Sequence, residues 1–339
     1  MHCSFLRIFL ITIFLLSHFS YAHSKEQKSD QILLRFSHVA APQSHKNKGA
    51  LKFKELAEKY TKGRVRVEIY PNSQLYKDKE ELEALQLGAV EMLAPSLSKF
   101  APLGIKSFEI FDLPFLFKDL KDISKITEGP IGQELLQQLQ EKDIVGLTYW
   151  NNGFKILSAN KPLIKPDDIL GLKMRIQSSR VIEEQILELG AIPQVMAFSE
   201  AYQALSSGVV DGTENTLSNM QNQKMYEVQR FATLTFHGFL GYAVIINKRF
   251  WVSLPDEIRE NLQTALKEAT RVANEAAVQE NMEALLIMQK KGPTQFHTPT
   301  IDEKKAWEDA LKNVKEKVSY RINATLMERI ENTLKNHSP

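Results

Sequence analysis

The sequence has almost no cysteine, and it lacks the common signatures of catalytic sites. Its single cysteine, Cys3, lies at the extreme N-terminus. The chain after it therefore has no disulfide, no thiolate nucleophile and no cysteine metal site. The motifs GxGxxG, GxxxxGK[ST], GxSxG and HExxH do not occur anywhere. We therefore expect neither a cofactor nor a metal, and the sequence favours binding over catalysis.

An excess of charge of one sign and a second long hydrophobic run are also lacking. The chain has 43 Lys and Arg against 41 Asp and Glu, a formal net charge of +2. This near balance argues against a general nucleic-acid binder, which needs a strongly basic face. After the N-terminal segment, no apolar run approaches the roughly 20 residues that a membrane-spanning helix needs. We expect a soluble protein.

The N-terminal segment has the features of a secretory signal. Arg7 supplies a weak positive region, Ile8–Leu16 is apolar, and Ser20–Ala22 offers small residues for a signal peptidase. We predict that residues 1–22 are a cleaved signal peptide and that the protein is exported to the periplasm. The alternative is an uncleaved membrane anchor, for which the apolar run is short.

Strands and helices alternate in the first hundred residues. Ile32–Ser37, Val65–Ile69 and Val90–Leu93 have the composition of strands. Apolar residues at helical spacing separate the first two, and Lys79–Leu87 is a predicted helix before the third. This order predicts a parallel sheet covered by helices, and hence an α/β fold.

Two features of the later sequence bear on domain organisation. The predicted strand Ile144–Trp150 runs into Asn151–Gly153, which has the composition of a turn at which a domain can end. From Ser253, with Pro255 in the first turn, no further glycine or proline occurs until Gly292. This predicts a long helix capped by Ser253. Such a helix kinks or spans two domains. A coiled coil is the alternative, although the apolar residues are small and irregularly spaced.

Arg175 is the first candidate for a ligand-binding residue. It lies in a predicted strand, Leu172–Gln177, in which Met174 and Ile176 point to the opposite face. A guanidinium group can bind a carboxylate through two parallel hydrogen bonds. Ligands of open α/β sheets bind beyond the carboxyl ends of strands, where Arg175 is expected. Taken alone, the pattern also fits a surface arginine on an edge strand.

Three further candidates lie in polar segments. Asn215 ends the stretch Asp211–Asn215, and its amide can donate to a ligand oxygen, although the stretch alone has the composition of a turn. His38 and Lys46 lie in the loop between the first strand and the next helix. The N-terminus of such a helix favours anions. A solvated loop is the alternative interpretation.

Six stretches in order carry a resemblance to a known family, and together they cover almost the whole chain after the predicted signal. They are FSHVAAPQSHKNKGALKF, VEIYPNSQLYKDKEELEALQLGAVEMLAPSLSKF, FDLPFLF, YWNNGFKILSANKPL, GLKMRIQSS and AFSEAYQALSSGVVDGTENTLSNMQNQKMYEVQ. The sequence resembles the extracytoplasmic solute-binding subunits of TRAP transporters, in their dicarboxylate-binding branch.

The resemblance implies a two-domain periplasmic binding protein fold of the α/β class, with a ligand cleft between the domains and a long helix spanning both. On this basis we assign residues 23–152 and about 241–280 to domain I, and residues 153–240 and about 281–339 to domain II. The implied function is capture of a small dicarboxylate of the succinate, fumarate or malate class. The implied partners are the permease subunits of the transporter, and we expect a monomer.

The family motifs also imply roles for individual residues. The arginine of GLK-x-R matches Arg175, which is expected to pair with a ligand carboxylate, and the asparagine of DG-x-EN matches Asn215. The phenylalanine of AFSE matches Phe198, which otherwise fits an ordinary core aromatic. The basic residue after W-x-x-G-x matches Lys155, where sialic-acid relatives usually carry arginine. By itself, Lys155 also fits an exposed lysine.

Ser96 implies a smaller, doubly anionic ligand, and Lys46 is a further match to the family. Ser96 occupies a place where sialic-acid binders present glutamate, and Lys46 keeps the lysine of the first loop. Lys46, Lys155 and His38 are expected to surround the second ligand carboxylate. Two other functions are the alternatives. One is a sensor that uses the same pocket and passes the closed form to a membrane kinase, and the other is an exported enzyme.

Overall fold

The computed structural model describes residues 31–335, so the predicted signal peptide, 1–22, lies outside the described residues. Within this range, nine strands form one sheet and twelve α-helices surround it. The strands are β1 (Ile32–Ser37), β2 (Val65–Tyr70), β3 (Met92–Leu93), β4 (Ile144–Ala159), β5 (Lys173–Ile176), β6 (Ile192–Val195), β7 (Gly212–Thr216), β8 (Phe231–Asn247) and β9 (Gln295–His297). The helices are α1 (His45–Tyr60), α2 (Glu81–Leu87), α3 (Leu120–Thr127), α4 (Pro130–Gln138), α5 (Arg180–Glu188), α6 (Ala201–Ser206), α7 (Leu217–Asn222), α8 (Lys248–Ser253), α9 (Asp256–Lys291), α10 (Ile301–Leu311), α11 (Val314–Lys317) and α12 (Ala324–Lys335).

The sheet has two parallel groups of strands on either side of an antiparallel pair. The strand order is β2-β1-β3-β8-β4-β7-β5-β6, with β9 also paired to β8. β1 runs parallel to β2 and β3, and β5 runs parallel to β6 and β7. β4 and β8 run antiparallel to each other between these groups. The α/β class predicted from the alternation of strands and helices is confirmed.

β4 and β8 are the long strands that join the two lobes of the molecule. The first part of β4 pairs with the last part of β8, beside β3, whereas the last part of β4 lies between β8 and β7. The register of the pair shifts between Asn151 and Gly153, opposite Gly241 and Leu240. A shift of this kind bends a strand pair and increases its twist. The lobes therefore meet at an irregular point of the ladder. The domain boundaries at 152/153 and about 240/241 stay a prediction.

The turn predicted at Asn151–Gly153 is wrong, because the chain continues as β4 through these residues. The register shift leaves Asn152 opposite no partner residue while its neighbours stay paired. The side chain of Asn152 is buried, and it donates to Tyr242 Oη at 2.6 Å and accepts from Ser218 Oγ at 2.8 Å. The side chain of Asn152, a residue type that is common in turns, therefore has hydrogen-bond partners inside a strand.

The turn-like interpretation of Asp211–Asn215 is also wrong. All of these residues except Asp211 belong to β7, a fully buried strand. The carboxylate of Glu214 lies 2.9 Å from the ammonium of Lys155, and Thr213 Oγ1 donates to the carbonyl oxygen of Arg175 at 3.2 Å. These partners allow a polar sequence to occupy a buried strand.

The long helix is confirmed as α9, which spans both lobes. Ile258 to Ala273 pack in the core under the β1–β3 group, whereas Ala284 and Met288 pack in a separate core with α6 and α7. The prediction that Ser253 caps this helix is wrong. Ser253 ends α8, and Pro255 is the N-cap of α9; proline holds the preceding residue, Leu254, in an extended conformation, which separates the two helices. No helix within residues 31–335 is long and apolar enough to cross a membrane.

Candidate ligand-binding site

A narrow cavity lies between the two lobes, and five of the seven predicted site residues line it. The predicted five are Lys46, Ser96, Arg175, Phe198 and Asn215. The other lining residues are Val39, Ala40, Asp78, Lys99, Gln177, Asn219, Leu240 and Tyr242. The cavity measures about 20 Å³ and shares four lining residues with an adjoining cleft of about 520 Å³. The sequence therefore identified residues of both lobes that line the same cavity.

Arg175 reaches the cavity from the carboxyl end of β5 with its orientation fixed. Its Nε and Nη2 both donate to the carbonyl oxygen of Met196, at 3.2 and 2.8 Å. Its Nη1 is buried and has no hydrogen-bond partner among the described residues. Burial lowers the pKa of Arg175, an effect that the Asp78 carboxylate opposes. A fixed guanidinium group with an unused donor is suited to bind an acceptor in the cavity.

Asn215 presents a hydrogen-bond donor to the same cavity. Its Oδ1 accepts from the backbone N–H of Thr216 and from Nδ2 of Asn219, both at 2.9 Å. These two bonds fix the orientation of the amide group, because both require the oxygen on that side. The amide nitrogen of Asn215 is the atom that remains to bind a ligand oxygen.

Lys46 reaches the cavity from the other lobe, in the first turn of α1. Ser44 caps this helix by accepting from the backbone N–H of Asn47, which fixes the turn that carries Lys46. Lys46 Nζ donates to the carbonyl oxygen of Ala94 at 2.8 Å and lies 3.4 Å from the centre of the Tyr242 ring. Burial lowers the pKa of Lys46 to about 7.

Hydrogen bonds join the two lobes across the cleft. Gln177 Nε2, on β5, donates to Ser96 Oγ, which follows β3, at 3.0 Å. The carboxylate of Asp78 accepts from the backbone N–H of Phe198 and also pairs with Lys99. The cleft is therefore closed in this structure.

His38 and Lys155 do not line the cavity. His38 is fully buried behind it, with Nε2 at 3.2 Å from Asn47 Oδ1, and burial lowers the pKa of His38 to about 3. Lys155 Nζ lies 2.9 Å from Glu214 Oε2 and 3.5 Å from Asp112 Oδ1. Two buried carboxylates thus hold the ammonium of Lys155, which the sequence had placed around a ligand carboxylate. Its interactions are within the protein.

Five polar lining residues were not identified from the sequence. They are Asp78, Lys99, Gln177, Asn219 and Tyr242. Two had a usable signal: Gln177 shares a strand face with Arg175, and Asn219 lies one helical turn after Asn215. The others are brought to the cavity by contacts between distant parts of the chain, which no local pattern shows.

Two cations of the cavity have no carboxylate partner. Within residues 31–335, no carboxylate oxygen lies within 4.0 Å of a side-chain nitrogen of Arg175 or Lys46. Lys99, by contrast, pairs with both Asp78 and Glu81. Buried charges without partners are costly. The cavity is therefore chemically suited to a small ligand with two negative charges.

Comparison with known proteins identifies the family. The model of the family described as bacterial extracellular solute-binding protein, family 7, matches residues 36–321. The chain belongs to this family. The family 7 assignment covers both lobes and every lining residue of the cavity.

Individual relatives of this family 7 protein bind C4-dicarboxylates. The C4-dicarboxylate-binding periplasmic protein DctP of Rhodobacter capsulatus is 59% identical over 305 residues, which are 90% of this chain and 92% of that protein. A TRAP periplasmic solute-binding protein of Shewanella oneidensis with bound succinate has a TM-score of 0.87 at 39% identity, over 89% of this chain and 99% of that one. A TRAP periplasmic solute-binding protein of Pseudomonas aeruginosa with bound L-malate has a TM-score of 0.82 at 41% identity, over 84% of this chain and 99% of that one. The resemblance to TRAP solute-binding proteins and the two-domain fold are confirmed.

Proposed function

We propose that this protein captures a small C4-dicarboxylate in the periplasm for uptake through a TRAP transporter. The observation that carries the proposal is the pair of buried cations, Arg175 and Lys46, which face one cavity from opposite lobes and have no carboxylate partner among residues 31–335. One dianion can satisfy both cations, whereas a monoanion leaves one buried charge unpaired. The relatives with bound succinate and L-malate support this ligand class.

The proposed ligand lies across the cavity between the two lobes. Arg175 Nη1 and the amide nitrogen of Asn215 bind one carboxylate, and Lys46 binds the other. Phe198 covers the carbon chain from one lobe, and Ser96 supplies a hydroxyl from the other. Each carboxylate then has a charged partner on one lobe, so bound ligand favours the closed arrangement.

The remaining assignments follow from the family and the relatives. Because family 7 proteins bind solutes, we propose that this protein releases its ligand chemically unchanged and is not an enzyme. We propose that it acts in the periplasm, because the sequence predicts a signal peptide and relatives are periplasmic proteins. We also propose that it acts as a monomer. Its macromolecular partners would be the membrane subunits of the transporter.

A thermal-shift screen of the purified chain after residue 22 tests this function. Succinate, fumarate and malate should raise the melting temperature, because a ligand at 100 times its Kd stabilises the folded state by about 2.7 kcal/mol. Monocarboxylates, sugar acids and aromatic acids serve as the comparison set. A shift from one of those acids and none from the C4-dicarboxylates would contradict the proposed ligand class. Chemical conversion of the bound acid would contradict the absence of enzyme activity.

A further inference from the structure

The ammonium group of Lys46 is buried with few partners. The side chain is 1% exposed, and its Nζ forms one hydrogen bond, with the carbonyl oxygen of Ala94 at 2.8 Å. An ammonium group carries three donors. The face of the Tyr242 ring, 3.4 Å away, is the other attractive contact that the described residues provide. The protein therefore stabilises the charge of Lys46 only weakly.

The charged groups around Lys46 do not compensate for this burial. Lys99 and Arg175 are further cations of the same cavity. The carboxylates of Asp78 and Glu81 favour the charged form of Lys46, but both are paired directly with Lys99. The groups that face this region from the surrounding elements are His38 after β1, His45 of α1 with its partner Glu280 of α9, Asp78 and Glu81 at α2, Lys99 after β3, Arg175 of β5 and Tyr242 of β8.

We infer that binding of a dicarboxylate is coupled to the uptake of one proton by Lys46. This inference rests on the proposed function, because a ligand carboxylate supplies the counter-ion that Lys46 lacks. Without ligand, Lys46 exists as both neutral amine and ammonium near neutral pH. A carboxylate beside it favours the ammonium form. Ligand and proton then strengthen each other's binding by the same factor.

The pH range of the coupling follows from the pKa of Lys46. Burial, together with the charge of Lys99, lowers this pKa to about 7 in the protein alone, and a bound anion raises it. Proton uptake is therefore small below pH 6 and approaches one per ligand above pH 8. Between the two pKa values the affinity falls about ten-fold per pH unit as the pH rises. The ligand stays a dianion there, because both carboxyl groups of succinate are ionised above pH 7, even though the first carboxylate raises the pKa of the second.

Two neighbours of Lys46, His38 and Lys99, do not account for such uptake. Burial holds the pKa of His38 at about 3, so its imidazole is neutral throughout this pH range. Lys99 keeps its proton, because Glu81 and Asp78 raise its pKa in spite of burial. Lys46 is therefore the cavity cation whose charge changes on binding.

Calorimetric titration with succinate measures this proton directly. At pH 8, titrations in phosphate and in Tris differ in apparent enthalpy in proportion to the protons taken up. We expect about 0.9 proton per succinate at pH 8 and about 0.5 at pH 7, where succinate itself is still a dianion. Lys46→Arg keeps a permanent charge, so any binding it retains should proceed without uptake. The matched control is Lys48→Arg, an exposed position on the same helix, which should keep the uptake.

Each outcome of this experiment separates the two proposals. Tight binding without proton uptake would overturn the inference and leave the proposed function intact, whereas no binding of succinate, fumarate or malate would overturn both. Uptake that persists in Lys46→Arg would assign the proton to another group. If that variant does not fold, ¹³C NMR of labelled lysines in the unmodified protein decides. One lysine Cε resonance should titrate near pH 7 without succinate and not with it. Absence of such a resonance contradicts the inference.

Discussion

At the residue scale, Arg175 is the group that fixes one end of the proposed ligand. The carbonyl oxygen of Met196 holds Nε and Nη2, and Nη1 is left for the ligand. Lysine at this position keeps the charge but cannot bind both the carbonyl and the carboxylate in this geometry. We predict that Arg175→Lys weakens succinate binding by about thirty-fold or more, or roughly 2–5 kcal/mol.

Calorimetric titration checks this prediction, and circular dichroism shows whether the variant is folded. Arg180→Lys is the matched control, because Arg180 is exposed at the start of α5, the next helix along the chain. It should bind succinate with unchanged affinity. If folded Arg175→Lys also binds as tightly as the unmodified protein, Arg175 does not contact the ligand.

The sequence predicted part of the candidate site and missed the part that depends on long-range pairs. Arg175 and Asn215 follow from motifs, and both line the cavity. Asp78 and Lys99 pair with each other from positions 21 residues apart, and no local pattern indicates that pair. Lys155 matched a motif, but the orientation of its side chain is set by the buried carboxylates of Asp112 and Glu214, which lie elsewhere in the chain. Patterns identify residue types, whereas the partners that orient them come from the fold.

At the element scale, apolar patterns predicted β1, β2, β3 and β5 and the long helix α9, and they failed for the buried polar strand β7 and for the full length of the long strands. The sequence predicted a strand over Ile144–Trp150, whereas β4 extends over Ile144–Ala159 and its partner β8 over Phe231–Asn247. Thr233, Thr235 and His237 interrupt the apolar pattern, yet all three are buried. Thr233 Oγ1 donates to the carbonyl oxygen of Leu163 at 2.7 Å, so a polar residue is satisfied inside the sheet. Such tertiary hydrogen bonds allow polar residues to occupy a buried strand.

At the scale of the whole molecule, ligand access requires the lobes to separate. The two proposed ligand-binding cations, Arg175 and Lys46, are 2% and 1% exposed. The cavity of about 20 Å³ is close to the minimum of roughly 10–15 Å³ that one water molecule needs. This cavity is too small for a dicarboxylate, so we expect the ligand to bind first to a more open arrangement of the lobes. The register shift of β4 and β8 near Gly153 and Gly241 lies where the lobes meet, which makes it the expected hinge.

We predict that ligand makes the protein more compact in solution. Small-angle X-ray scattering should give a smaller radius of gyration with saturating succinate than without it, because ligand bridges the lobes. Binding is confirmed in the same samples by calorimetry. Identical scattering profiles with and without bound ligand would show that the lobes do not move and that the hinge is wrongly placed.

The central claim is that two buried cations on opposite lobes bind one dianion. Calorimetric titration with succinate and with butyrate tests it most directly, because the two acids have the same number of carbons and differ in one carboxylate. The account predicts that butyrate binds at least about thirty-fold more weakly, since it leaves one buried cation unpaired. Equal affinities for the two acids would contradict the account.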